Sequence, residues 1–385
     1  MKISLASLKQ FFLFTLASTL GLLSSNDSSG QSFLIGGFGE GIYSSKLESD
    51  GKMSEPKLVV EQKLPAFFAF HPKLDVLYAV TETGKSDPTA PAAITAYRFD
   101  RNDLTAGKAP TLTFLNTQTI DGDSPCHVSL DATGEFLAVA NYTSGSVVVF
   151  PVGSDGSIKP LTSMVVHKGS GANKQRQEKP HAHCAFWDPS NRYLLVCDLG
   201  LDKVFVYDLD RKTGQLKMTS DMPLAPGSGP RHLAFHPNGK WVFVVNELNM
   251  TLTTATWDAS SAKLKEIQTV STLPVDAKGD NFSTAEVLVH PSGRFVYSSN
   301  RGHHTIASYR VDDQSGKLTP TAHTLSGGKT PRNFRITPKG DFLLAENQES
   351  NSVYSFRVNM ETGLLEPTGF SVKAPAPACI KFFER

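Results

Sequence analysis

PRHLAFHPNGKWVFVVNE, residues 230–247, decides the fold. Leu233, Ala234 and Phe235 lead into a His-Pro-Asn-Gly turn, and the apolar run of residues 241–245 leads out of it. Two short apolar runs split by a Pro/Gly turn read as an antiparallel hairpin. The same figure returns as PAFFAFHPKLDVLYAVTE at 65–82, PCHVSLDATGEFLAVANY at 125–142 and PHAHCAFWDPSNRYLLVCDL at 180–199. It returns again as AEVLVHPSGRFVYSSNR at 285–301 and PRNFRITPKGDFLLAENQ at 331–348, and a truncated copy, PAPACIKFF, stands at 375–383. A period of this size, filled with strands and turns, predicts a β-propeller.

Each hairpin is followed by two further strand-like segments. CDL, for example, leads into GLDKVFVYDLD and then TGQLKM, where Gly supplies the positive φ of a tight turn. Every copy therefore offers four strands, A to D from the ring axis outward. Six complete copies run from residue 65 to about residue 372. The N-terminal SFLIGGFGEGIYSSKL and KLVVEQKL, joined by the C-terminal PACIKFF, supply a seventh whose innermost strand comes from the C-terminus. That arrangement closes the ring and removes a free sheet edge. The expectation is an all-β, seven-bladed β-propeller with four-stranded antiparallel blades, forming a single domain over residues 31–385, with very little helix. GGFGEG at 36–41 follows no βαβ unit and reads as a turn of the split blade rather than a phosphate loop. Two insertions, at 168–183 and 270–286, precede A strands.

Lys plus Arg is 38 and Asp plus Glu is 37, and there is no long basic run, so nucleic acid is not expected as a partner. Residues 1–30 have a charged start, the apolar run FFLFTLASTLGLL and a small polar end, the pattern of a secretory signal peptide. A secreted or periplasmic protein is expected, with no membrane attachment after cleavage. Export permits disulfides, and Cys184 and Cys197 lie on facing strands of one hairpin. Four cysteines at apolar strand positions read better as buried thiols, and their spacing matches no zinc site. No metal or cofactor is expected.

The start of strand A and the end of strand B meet at one rim. The A-start window holds Phe67, His127, His181, His183, Arg231, His232, Glu286, Arg332 and Asn333. The B-end window holds Glu82, Asn141, Tyr142, Asp198, Asn246, Glu247, Asn300, Arg301, Asn347 and Gln348. Asn141, Asp198, Asn246, Asn300 and Asn347 recur and read as turn formers bonding nearby backbone. His71, His236 and His290 recur beside the A–B turn at the opposite rim and read as architecture. His183, Arg231, Glu247 and Arg301 break the repeat with charged or titratable groups. With His181, Arg332 and Gln348 they fall on four consecutive blades. Arginine forks hold a carboxylate or phosphate, and a Glu or His moves a proton. The alternative is a polar plug whose groups only satisfy one another.

RQEKPHAH (176–183), GSGPRHLAFHPNGKWVFVVNEL (227–248), SNRGHHTI (299–306) and GGKTPRNFRITPKG (327–340) carry a resemblance. Through them the chain resembles the seven-bladed propeller lactonases, a family that includes bacterial propeller-type 6-phosphogluconolactonases and the fungal carboxy-cis,cis-muconate lactonizing enzyme. The resemblance implies a catalytic set of His183, Arg231, Glu247 and Arg301, the same quartet that breaks the repeat. His127, His181, His232, Arg332, Asn333 and Gln348 are the expected substrate-binding residues. The implied activity is hydrolysis of a sugar-derived lactone, 6-phosphogluconolactone-like or aldonic, by an exported enzyme, with Glu247 or His183 activating water. A muconate-type lactonizing cycloisomerase and a non-enzymatic binding propeller are the alternatives.

Overall fold

The computed structural model describes residues 30–383. The expected leader falls almost wholly outside them. Seven four-stranded antiparallel sheets make up the ring. Blades 1 to 6 occupy residues 68–119, 125–166, 182–223, 230–271, 283–325 and 331–373. In blade 7 the strand Pro377–Phe382 lies innermost, followed outward by Gln31–Gly37, Gly41–Leu47 and Lys57–Glu61. Phe33 pairs with Phe382 and Ile35 with Ile380, so the ring closes through backbone pairing between distant parts of the chain. GGFGEG spans the turn between the second and third strands of this blade, as read. Among the described residues the one α-helix is Arg101–Thr105, in the C–D connection of blade 1.

Burial explains the hydropathy pattern. Strand B is buried along its whole length in blades 1 to 4 and 6, because both of its faces pack on neighbouring blades. Such strands read as continuous apolar runs. The outermost strands, such as Lys263–Ser271, alternate between part-buried and exposed positions. The core is thus a set of wedges between blades. One wedge joins Ala138, Ala140, Val147 and Val149 of blade 2 to Leu194, Val196 and Phe205 of blade 3. Each fully buried Val or Leu contributes about 1.5–3 kcal/mol.

The recurrent His-Pro turns lock adjacent blades together. His71 Nε2 meets the Gly134 carbonyl at 3.1 Å, His236 Nε2 meets that of Gly293 at 2.9 Å, and His290 Nε2 meets that of Gly340 at 3.0 Å. In each case the carbonyl belongs to the corresponding turn of the next blade. Nδ1 of His71 accepts from the Lys73 and Leu74 amides, which fixes the tautomer that donates from Nε2. Where the repeat has Asp131 instead, Arg211 of blade 3 reaches back to it at 2.8 Å. Cys184 and Cys197 are direct cross-strand partners, and all four cysteines are buried free thiols.

Candidate active site

A β-bulge at the start of strand A builds the site. In blade 4, Pro230 pairs with Asn246 but His232 pairs with Val245, which leaves Arg231 as the extra residue. The same slip singles out Cys126 in blade 2, His183 in blade 3 and Arg332 in blade 6. Blade 7 repeats it at Ala378, and blade 5 has a longer slip that spans Ala285 and Glu286. An ordinary strand sends successive side chains to opposite faces, whereas a bulge lets two neighbours share one. Arg231 and His232 therefore both line the axial cavity, as do Arg332 and Asn333.

The cavity is bounded by Phe38, Ala66, Phe67, Glu82, Cys126, His183, Arg231, His232, Arg332, Asn333 and Ala378. Of the ten residues expected in the site, it brings together His183, Arg231, His232, Arg332 and Asn333. Glu247 and Arg301 form its flank through Arg231. His127 packs against the lining, with its ring 4.4 Å from Phe67 and 5.4 Å from His232. His181 and Gln348 are not in the lining. His181 stacks on Tyr142 and is taken up by the Tyr142 carbonyl and Glu178.

Glu247 sits at the centre of a cationic clamp. Its Oε2 lies 3.1 Å from Arg231 Nε and 2.8 Å from Arg301 Nη2, and its Oε1 lies 2.7 Å from Arg176 Nη2. Burial alone would push this carboxyl up. The guanidinium groups of Arg301, Arg231 and Arg176 outweigh it and hold the group down at about 2. Backbone carbonyls complete the clamp, since Arg231 Nη1 donates to Ala285 O at 2.6 Å and Arg301 Nη2 to Thr284 O at 2.9 Å. Burial lowers Arg231 to about 10, with Arg332 and Arg301 adding to the effect, so it stays charged at neutral pH.

Arg332 is different. Its guanidinium stacks over Phe38 at 4.6 Å and has no carboxylate within ion-pair distance among the described residues. Across from the clamp, Glu82 lines the cavity and makes no side-chain hydrogen bond among the described residues. It is half-buried, open to the cavity but enclosed by protein, and this desolvation raises its carboxyl to about 7 against the pull of Arg332 and Arg231. The imidazoles are neutral: burial lowers His183 and His127 well below their ordinary value and lowers His232 as well. Both carboxylate oxygens of Glu286 lie 3.0 Å from His232 Nδ1, while His232 Nε2 is buried without a partner.

Three contributors were not among the expected site residues. Arg176 reaches in from the 168–183 insertion, which Gln177 pins by donating to Leu199 O at 2.8 Å and to Asp202 Oδ1 at 2.7 Å. Insertions have no counterpart in the other copies, so internal comparison is blind to them. Glu286 and Glu82 stood in the two windows. Glu82 follows Thr81 where Glu247 follows Asn246, so it occupies the register of Glu247 in blade 1 without the Asn or Asp that precedes that register in blades 2 to 6.

The comparisons with known proteins agree with the fold. The family model described as "Lactonase, 7-bladed beta-propeller" matches residues 31–382. The chain belongs to this lactonase family. The 6-phosphogluconolactonase of Bacillus subtilis is 39% identical over 350 residues, covering 91% of this chain and 96% of the relative. A 6-phosphogluconolactonase of Formosa agariphila is 33% identical over 276 residues, covering 70% and 74%. The structure of a periplasmic gluconolactonase from Pseudomonas aeruginosa superposes with a TM-score of 0.84 at 29% identity, covering 92% of this lactonase and 99% of the other chain. Membership makes the protein a lactone hydrolase.

Proposed function

We propose that this lactonase is exported and hydrolyses a non-phosphorylated, sugar-derived lactone at the mouth of its axial channel. The observation that carries the site assignment is Arg332, a cation with no carboxylate partner in a cavity shared with Arg231 and neutral imidazoles. Arg332 and Arg231 are suited to the oxyanion that develops when water attacks the lactone carbonyl. The clamp directs a revision of Glu247's role. A carboxylate held at about 2 and occupied by three guanidinium groups is a poor base, so it fixes Arg231 and Arg301, and a neutral imidazole takes the proton.

Export is supported by the leader-like residues 1–30 and by the likeness to a periplasmic gluconolactonase. Phosphorylated sugar lactones are intracellular intermediates, which favours the aldonic substrate. The test is a kcat/KM comparison of glucono-lactone and 6-phosphogluconolactone, together with fractionation of expressing cells. The expected outcome is preference for the non-phosphorylated lactone and protein outside the cytoplasm. Turnover of neither compound, or of the phosphorylated one alone, overturns the substrate reading. Arg332→Ala is expected to lower kcat/KM about 100-fold or more, with little loss of stability because no ion pair is broken.

A further inference from the structure

The cavity contains a proton-moving pair, one member expected only as a substrate contact and the other not expected in the site at all. His232 Nδ1 faces both oxygens of Glu286 at 3.0 Å. Burial would raise that carboxyl, but His232 and Arg231 bring it below its ordinary value, so it is ionised and Nδ1 carries the proton. Nε2 is then a lone pair. It is buried, has no hydrogen-bond partner, and belongs to a residue that lines the cavity. A buried polar atom without a partner is costly in a native protein and calls for an explanation. The ring is held in place on two sides, by His183 at 5.1 Å and His127 at 5.4 Å between centroids. An imidazole oriented through one nitrogen by a carboxylate, with the other nitrogen bare in a cavity, has the layout of a general base.

The second member stands across the channel. Glu82 and Glu247 follow strand B at the same register in blades 1 and 4, on nearly opposite sides of a seven-membered ring. Their surroundings separate them. Glu247 is saturated by three guanidinium groups, whereas Glu82 has none within ion-pair distance and lies beside His183, Arg231, His232 and Arg332 in the cavity lining. Two carboxyls with divergent environments are a mark of divided acid–base roles.

We propose that His232, positioned by Glu286, is the general base of the hydrolysis and that Glu82 is the general acid. This assignment rests on the lactonase reading above. His232 Nε2 removes a proton from water as its oxygen bonds to the lactone carbonyl carbon. The resulting oxyanion lies against Arg231 and Arg332. Collapse breaks the bond from that carbon to the ring oxygen, and the Glu82 carboxyl gives its proton to the departing oxygen. Imidazolium and carboxylate then return to their starting forms by transfer of one proton through water, and the product is the open hydroxy acid.

The pH dependence follows from the groups that face each member. His232 faces Glu286, which favours its charged form, and Arg231, Arg332, His127 and His183, which oppose it. Behind Glu286 lie Glu346 and Lys381. Glu82 faces Arg332, Arg231 and the Cys126 thiol. The base must be unprotonated and the acid protonated. The kcat/KM profile is therefore a bell whose alkaline limb falls above about pH 7.

The experiment is a set of kcat/KM–pH profiles on glucono-lactone, corrected for spontaneous hydrolysis, for wild type, His232→Gln, Glu82→Gln, Glu286→Gln and Glu286→Asp. His232→Gln is expected to lose about 100-fold or more. Glu82→Gln should lose a similar factor and also its alkaline limb. Glu286→Gln should shift the acid limb to lower pH, since a carboxylate that favours imidazolium has gone, and Glu286→Asp should restore it. Near-wild-type rate in His232→Gln, or an unchanged alkaline limb in Glu82→Gln, overturns the proposal. Nitrogen-15 spectra of histidine-labelled wild-type protein test the dyad without turnover, with His232 assigned through its displacement in Glu286→Gln. Protonation at Nδ1 with a free Nε2 is expected, and protonation at Nε2 overturns the dyad. Absence of lactone turnover by the wild type defeats the functional reading while leaving the tautomer result to stand on its own.

Discussion

Glu247 shows how a single residue's surroundings decide its chemistry. Its carboxyl sits at about 2 in the fold, against an ordinary value of 4.5. A lowered carboxyl contributes stability that is present above the unfolded value and is lost as pH falls through the folded one. The window is therefore pH 4.5 down to about 2, and the shift corresponds to about 3 kcal/mol. Urea midpoints are expected to drop on going from pH 5 to pH 3. Glu247→Gln should be less stable at pH 7 by about 3–5 kcal/mol, because buried cations are left without their counter-charge, yet should lose less between pH 5 and pH 3. An equal acid loss in both proteins would remove the clamp as its origin. At this scale the sequence was partly legible. Departure from the repeat singles out His183 and Arg231, and both line the cavity. It could not show that Glu247 would be saturated by cations, because Arg176 comes from an insertion, and burial and contact are properties of the fold.

The element that matters most is the bulge at the start of strand A. The hairpin itself was legible from its two apolar runs and turn, but the extra residue was not. An unpaired position has no composition of its own, and its occupants here run from Cys126 and His183 to Arg332 and Ala378. The turn at the other end of the same hairpin tells the reverse story, since its histidines recur and bond the next blade's turn. Gly134 has φ +78°, and a Cβ there would lie 2.3 Å from the His71 ring. Gly134→Ala is therefore expected to cost about 1–3 kcal/mol, from backbone strain and the displaced clasp together. Chemical denaturation checks this, with kcat/KM unchanged because the site is at the far rim. A stability loss below about 0.5 kcal/mol would show that the clasp carries little.

Across the whole molecule, the blade count and the shared seventh blade were readable because a period is a global property written locally in each copy. The closing pairs, Phe33 with Phe382 and Ile35 with Ile380, hold the ring shut. Deleting residues 375–385 should leave the inner edge of Gln31–Gly37 unpaired. Self-association on gel filtration and a broadened, lowered melting transition are the expected outcomes, because an open strand edge pairs with another chain. A monomer that melts like the full-length protein would mean that the closure is dispensable.

The shared blade also sets a schedule. Its outer three strands are synthesised more than 300 residues before the strand that completes them, and that late strand brings Ala378 to the cavity wall. Until it arrives there is no closed ring and no finished pocket, however well the intervening blades have formed. A chain built this way is expected to complete its ring and its pocket wall in one late event, when its two distant segments meet.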